Sequence, residues 1–391
     1  MYKVAIIGAG PAGISASLKC AKNRIKCVLI DKNPQSIGGV CLNKGCIPSK
    51  FYIKRLKEEK NISLQELFLE KEKFIASIRE SLINYLQQQR IDLIFGEAQV
   101  SDKDTVKVNS KILKAQYILV CTGSSPKFLE YFKNYNNVLY GEDFFSLKEI
   151  GDNILIVGAG ATGIELSTIL SLLGRKVTLI EKESCILPGI DKYVAHRLEI
   201  FLKSKGIEVL TSVKLQELDI HRFNNIFLCT GRVPNNIAYG FKDNKNIMLC
   251  GDARGETFLA YTASFEAEKA VDSIIERSLF IPSIKNIPYC VFGFIPLSWI
   301  DEENASSQII KKTISLAANP LAKIYSCEEG FIRIGVDKNT HLIKSVYIFG
   351  EFSWEWIHIF KVLMDNNLPL DFFKDFTFIH PSFSETVKAI L

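Results

Sequence analysis

KVAIIGAGPAGISASLKCAKNRIKCVLIDK, residues 3–32, reads as a buried strand, a turn with glycines at Gly8, Gly10 and Gly13, a helix, and a second strand ending on Asp31. Residues 153–182, NILIVGAGATGIELSTILSLLGRKVTLIEK, repeat the pattern with Gly158, Gly160, Gly163 and a closing Glu181. The interval from last glycine to acid is 18 residues in both copies. One such fingerprint is weak, because any tight strand-to-helix turn tolerates glycine. Two copies with strand, helix and acid in phase point to one physical task. The glycines let backbone N–H groups and a helix N-terminus approach a pyrophosphate, and the acid accepts from an adenine-side ribose. The chain is expected to bind two dinucleotides.

The repeat extends further: QYILVCTGSSP at 116–126 has its counterpart in NIFLCTGRVPNN at 225–236. From the first glycine of each fingerprint, the CTG cysteine lies 113 residues on in the first copy and 71 in the second, so the first copy carries 42 extra residues. They include a helical pattern in which Leu64, Leu67, Ile75, Ile78, Leu82 and Leu86 share a face. IMLCGDARG closes the two-fold unit with an apolar strand and Gly251-Asp252. Beyond about residue 281 the pattern changes to short strands, FIRIGVDK and SVYIFGEF, and a helix around Trp354 to Asp365.

A chain of 391 residues is too long for one core. With 47% hydrophobic and 23% charged residues and a thinly spread net charge of +5, it is an ordinary globular composition, with no nucleic-acid footprint. No apolar run suits a membrane span, and the N-terminus enters a strand at once, so a cytoplasmic protein without a membrane partner is expected. Cys20, Cys27, Cys121, Cys229 and Cys250 lie in or beside apolar runs and read as reduced core residues. In GGVCLNKGCIPSK, residues 38–50, Cys41 and Cys46 stand five apart. They read as metal ligands, core residues, or a disulfide made and broken in turnover.

With that motif joined to two dinucleotide folds, a GD motif and a terminal HPSFSE, the chain resembles dihydrolipoamide dehydrogenase, of the pyridine nucleotide-disulfide oxidoreductases, over its whole length. The resemblance implies an α/β fold: two Rossmann-like domains, for FAD and NAD, and a C-terminal α+β dimerisation domain forming a homodimer. The expected boundaries are 1–148 for the FAD domain with its redox disulfide and 149–245 for the NAD domain. A return segment, 246–280, completes the first, and 281–391 is the interface domain. Residue by residue, Cys41 is implied as the interchange thiol attacked by substrate and Cys46 as the thiolate that passes electrons to the flavin. Lys50 stands beside the flavin with Glu165 as its partner, and His380 with Glu385 acts on the opposite subunit's disulfide. Thr122, Gly123, Gly251, Asp252, Ala260 and Gly231 complete the implied cofactor contacts.

Spacing bears on the cysteines independently. On a regular helix five positions span about 7.5 Å, beyond the roughly 7 Å limit for bridging two Cα atoms, so a disulfide needs a break, which Gly45 permits. Zinc wants four ligands, and no CxxC or His pair accompanies this one, so no metal is expected. Imidazole suits removal of a thiol proton, although a lone HP also fits a histidine capping a helix begun by Pro381. Glu181 suits a free ribose 2′-hydroxyl, hence NAD over NADP, with Lys182 beside it softening the preference.

The chain departs from the family pattern between Lys50 and Leu64, where the linker is brief. It also departs between Ile207 and Phe227, where the β-rich hairpins are missing, and in FGFIPLSWID, which lacks the acid that usually follows the proline. Three functions are compatible with these residues. The first is an NAD-linked flavoenzyme oxidising dihydrolipoyl groups on a carrier protein. The others are a reductase of another disulfide or thiol carrier and a non-enzymatic flavin and disulfide redox sensor.

Overall fold

The computed structural model describes residues 1–241, 244–302 and 308–391. They fall into two compact units, Met1–Gly151 with Asn225–Ser283, and Asp152–Asn224 with Ile284–Leu391.

In the first unit the opening stretch forms β1 (Tyr2–Ile7), α1 (Pro11–Lys22) and β2 (Cys27–Asp31). There follow α2 (Gly39–Asn43), α3 (Cys46–Glu58), α4 (Leu64–Gln88), β3 (Asp92–Phe95), β4 (Ala98–Asp102), β5 (Thr105–Val108) and β6 (Lys111–Val120). After β7 (Ser124–Pro126) and β8 (Val138–Tyr140), the chain returns to this unit at residue 225. The sheet runs β3-β2-β1-β6 in parallel, and the long β6 forks at its two ends. Its first residues pair antiparallel with β5, which pairs in turn with β4, and its last three residues pair parallel with the returning strand Ile247–Leu249.

Alternate residues of the sheet supply two cores. Val4, Ile6 and Leu29 face one layer, and Ala5, Ile7, Val28 and Ile30 the other. That double burial is why β1 and β2 read as continuous apolar runs instead of alternating ones. The α4 face predicted from its leucines and isoleucines is buried at Leu64, Leu67, Ile75 and Leu86. It also buries Lys71, whose ammonium donates to Phe145 O at 2.7 Å and sits 4.5 Å from the Phe68 ring.

The second unit repeats the motif as β9 (Asn153–Val157), α5 (Ala161–Leu172), β10 (Lys176–Ile180), α6 (Lys192–Ser204) and β11 (Glu208–Leu210), with its three strands parallel. Residues 211–224 hold two short 3-10 turns and no strand, matching the missing hairpins. The returning strands of the first unit are β12 (Asn225–Leu228), β13 (Arg232–Pro234) and β14 (Ile247–Leu249), followed by α7 (Ala260–Glu276).

Within the second unit an antiparallel sheet runs in the order β15 (Tyr289–Val291), β16 (Leu297–Asp301), β19 (Ile343–Phe349), β18 (Phe331–Asp337), β17 (Ile309–Ser315). α8 (Pro320–Ile324) precedes β18, and α9 (Ser353–Asp365) begins one residue before the expected Trp354. α6 meets this sheet through Phe201 and Phe349, with ring centroids 5.1 Å apart. Asp191 caps α6, accepting from Tyr193 N at 3.0 Å, and binds Lys311 at 2.6 Å and Arg333 at 3.3 Å.

Candidate active site

The two glycine-rich turns are built alike. A Cβ on Gly13 would overlap the Gly8 carbonyl oxygen, and one on Gly163 the Gly158 carbonyl oxygen, so only glycine lets each helix start this close to the preceding strand. α1 begins at Pro11 behind Gly10 and α5 at Ala161 behind Gly160, and neither helix has a side-chain cap. The uncapped N-termini present partial positive charge, as a pyrophosphate requires. Asp31 accepts from Ala9 N at 2.5 Å, and Glu181, buried, accepts from Ala159 N at 2.9 Å and Glu183 N at 3.1 Å. Each acid is thereby fixed across the mouth of its own turn. The donor sets fit one dinucleotide in each fold.

Thr122 and Gly123 follow β6, and Gly251 and Asp252 follow β14, so the parallel pairing of those strands brings both turns to one edge. Ser124, which sequence reading passed over, donates to Asp252 Oδ2 at 2.5 Å and accepts from Arg232 Nε at 2.7 Å. Arg232 also pairs with Glu142 at 2.6 Å. This network lies in the first unit directly after Gly231, and the Arg in GRVPNN was its only sequence signal. Ala260 opens α7.

The cysteine motif breaks the helix where the spacing argument requires. α2 ends at Asn43 and α3 starts at Cys46, with Gly45 as its N-cap. A Cβ on Gly45 would lie 3.1 Å from Val40 O and 3.5 Å from the Cys41 Cα, so the absence of a side chain is what lets the chain double back onto Cys41. Cys41 is half-buried and Cys46 exposed. A hydrogen bond to Cys46, and then burial, push the Cys41 thiol far up; Lys50 opposes this and Asp252 adds to it. Cys46 occupies the uncapped N-terminus of α3, where the helix favours a sulfur anion. The Cys41 surroundings thus favour the protonated sulfur, while the helix N-terminus at Cys46 favours a sulfur anion. Lys50 lies one turn along the same helix.

In the second unit Glu165 is buried on α5 and accepts from Phe292 N at 3.0 Å. His380 does not cap a helix. The following 3-10 turn starts at Ser384, and the His380 ring points Nδ1 at Glu385 Oε2, 2.9 Å away, while Ser382 N donates to Glu385 Oε1 at 3.1 Å. Burial pushes the Glu385 carboxyl up, but the His380 and Ser382 hydrogen bonds outweigh it and hold the group below the usual range. A carboxylate accepting at Nδ1 leaves the Nε2 lone pair available for a proton. Cys229, expected in the core, is only half-buried. Among the described residues no cluster of His, Cys, Asp and Glu suits a metal, and no helix is long and apolar enough to cross a membrane.

Comparison with known proteins places these features in a family. The model described as pyridine nucleotide-disulphide oxidoreductase matches residues 2–246, and that family's dimerisation domain matches 287–390. The dihydrolipoyl dehydrogenase of Mycoplasma genitalium is 25% identical over 449 aligned positions, covering 100% of this chain and 97% of the relative. The probable pyridine nucleotide-disulfide oxidoreductase RclA of Escherichia coli is 24% identical, covering 100% of this chain and 98% of its own. A solved structure of that HOCl-induced flavoprotein disulfide reductase superposes with a TM-score of 0.90 at 23% identity, over 99% of each chain. The chain belongs to the pyridine nucleotide-disulphide oxidoreductases, enzymes that use FAD and NAD(P), and it carries their C-terminal dimerisation domain.

Proposed function

We propose that the chain oxidises dihydrolipoyl groups carried on a protein and delivers the electrons to NAD⁺ through the Cys41–Cys46 couple and bound FAD. The observation that carries this reading is the His380–Glu385 pair at 2.9 Å, since a dithiol substrate must lose a proton before it can attack a disulfide. In the dimer, one substrate thiol gives its proton to His380 Nε2 of one subunit, and its sulfur attacks Cys41 of the other. The Cys41–Cys46 bond breaks, and Cys46 leaves as a thiolate at the N-terminus of α3. The second substrate thiol then attacks the substrate sulfur of the mixed disulfide, its proton passing to the departing Cys41 sulfur, and the cyclic disulfide product and the Cys41 thiol are released. Bound FAD would supply the two-electron transfer between the dithiol and the nicotinamide. Gly8, Gly10, Gly13, Asp31, Thr122, Gly123, Asp252 and Ala260 hold FAD, and Gly158, Gly160, Gly163 and Glu181 hold NAD. Glu181 favours NAD, because a buried carboxylate repels a 2′-phosphate.

The relatives named dihydrolipoyl dehydrogenase support the substrate. The Escherichia coli disulfide reductase supports a second reading, NAD(P)H-driven reduction of a different disulfide. An anaerobic panel of free dihydrolipoamide, dihydrolipoylated protein, glutathione disulfide and CoA disulfide, with NAD(H) and NADP(H), separates them. The proposal expects the highest kcat/KM with the lipoylated protein and NAD⁺. Turnover confined to a non-lipoyl disulfide, or to NADPH, overturns it.

A further inference from the structure

Four buried thiols outside the motif, Cys20, Cys27, Cys121 and Cys250, share the core layer between the first sheet and α1 with α7. Cys121 and Cys250 are matched by the strand ladder itself. β6 and β14 run in register with Ile118 beside Ile247, Leu119 beside Met248 and Val120 beside Leu249, so Cys121 and Cys250 are the next residues of that ladder. Cys250 N still donates to Val120 O at 3.0 Å, so the strands have not diverged there. Strand alternation sends both side chains to the face that holds Leu119 and Met248, away from Val120 and Ile247. Neighbouring strands stand about 4.8 Å apart, inside the Cα separation of roughly 4.4–6.8 Å that a disulfide spans. Cys20 and Cys27 make a separate thiol–thiol contact in the same layer, on neighbouring elements that are not paired strands, and Cys27 also donates to Ser17 O, 3.9 Å away.

We propose that Cys121 and Cys250 form a second dithiol couple that a peroxide closes to a disulfide, stapling β6 to β14 behind the turns at Thr122–Gly123 and Gly251–Asp252. One sulfur attacks an oxygen of hydrogen peroxide; the O–O bond breaks, water leaves with the thiol proton, and a sulfenic acid remains. The other sulfur attacks it, the S–O bond breaks, and a second water carries off the remaining proton. The two thiols thus lose two electrons to one peroxide. The hydrogen bond to Cys250, and then burial, push the Cys121 thiol well up. Access comes from the strand itself: β14 is three residues long and, among the described residues, pairs with β6 alone, so it opens at lower cost than the sheet.

The test treats native FAD-loaded protein with hydrogen peroxide, stops the reaction with catalase, then denatures, alkylates and digests without reductant. Expected is a cross-linked peptide pair joining Cys121 to Cys250, two hydrogen masses lighter than the separate peptides and cleaved by dithiothreitol. Cys121→Ala and Cys250→Ala each abolish it without changing the Cys41–Cys46 link. Recovery of both cysteines alkylated, either one as sulfinic or sulfonic acid, or Cys121 linked to Cys20 or Cys27 overturns the proposal.

Discussion

Glu385 links acid stability to catalysis. Its carboxylate is held below its ordinary value in the folded chain, so its stabilising contribution is complete above the ordinary glutamate range near 4.3. That contribution is lost as pH falls through the depressed folded value. Denaturant midpoints of wild type and Glu385→Gln are therefore expected to differ at neutral pH and to converge in acid; a constant gap would place the effect elsewhere. His380→Ala is expected to lower dithiol turnover by about 10²–10⁴ while FAD stays bound, checked by kcat/KM and the flavin spectrum. The histidine and its acid were legible as a motif. Their pairing followed from the resemblance, and the structure adds its geometry, with Nδ1 turned to Glu385 Oε2 at 2.9 Å and no helix for His380 to cap.

At the scale of elements, the break between α2 and α3 sets the spacing of the reactive thiols. Gly45→Ala forces its new methyl toward Val40 O and the Cys41 Cα, and is expected to impair oxidation of the pair to a disulfide while leaving FAD content unchanged. Thiol titration of the air-oxidised protein measures this: two more free thiols than wild type are predicted, and an equal count would contradict the steric account.

Asp191 is a second case, capping α6 and pairing with Lys311 and Arg333 from β17 and β18. Asp191→Ala removes the cap and leaves a mostly buried Arg333 without its carboxylate, a loss on the order of 3 kcal/mol. Asp191→Asn keeps the cap and is expected to lose less, as chemical denaturation will show. The strand-turn-helix signal made both dinucleotide folds readable because glycine spacing and strand hydrophobicity are local. The Ser124, Arg232 and Asp252 network was not readable, since its members are 108 and 128 residues apart along the chain and meet only when β7, β13 and β14 are assembled. Lys71 was missed for a related reason: a long side chain can lie on an apolar face when a carbonyl waits at its end.

For the whole molecule, the internal repeat and the change of pattern after residue 281 exposed the α/β architecture, while the trimmed segment between β11 and β12 left the parallel strands of the second fold in place. How the chain associates is carried by surfaces that no periodicity encodes; the family's dimerisation domain at 287–390 supplies that link. In the proposed mechanism the Cys41–Cys46 couple of one subunit works with His380 of the other. Mixing a Cys41→Ser protein with a His380→Ala protein, each inactive alone, tests this most directly. A mixed dimer contains one site with both wild-type groups, and random exchange makes about half of all dimers mixed, so dithiol oxidation is predicted to recover to about a quarter of the wild-type rate. Absence of recovery, after labelled subunits are shown to have exchanged, would contradict the claim and assign His380 to its own chain or to no part in the chemistry.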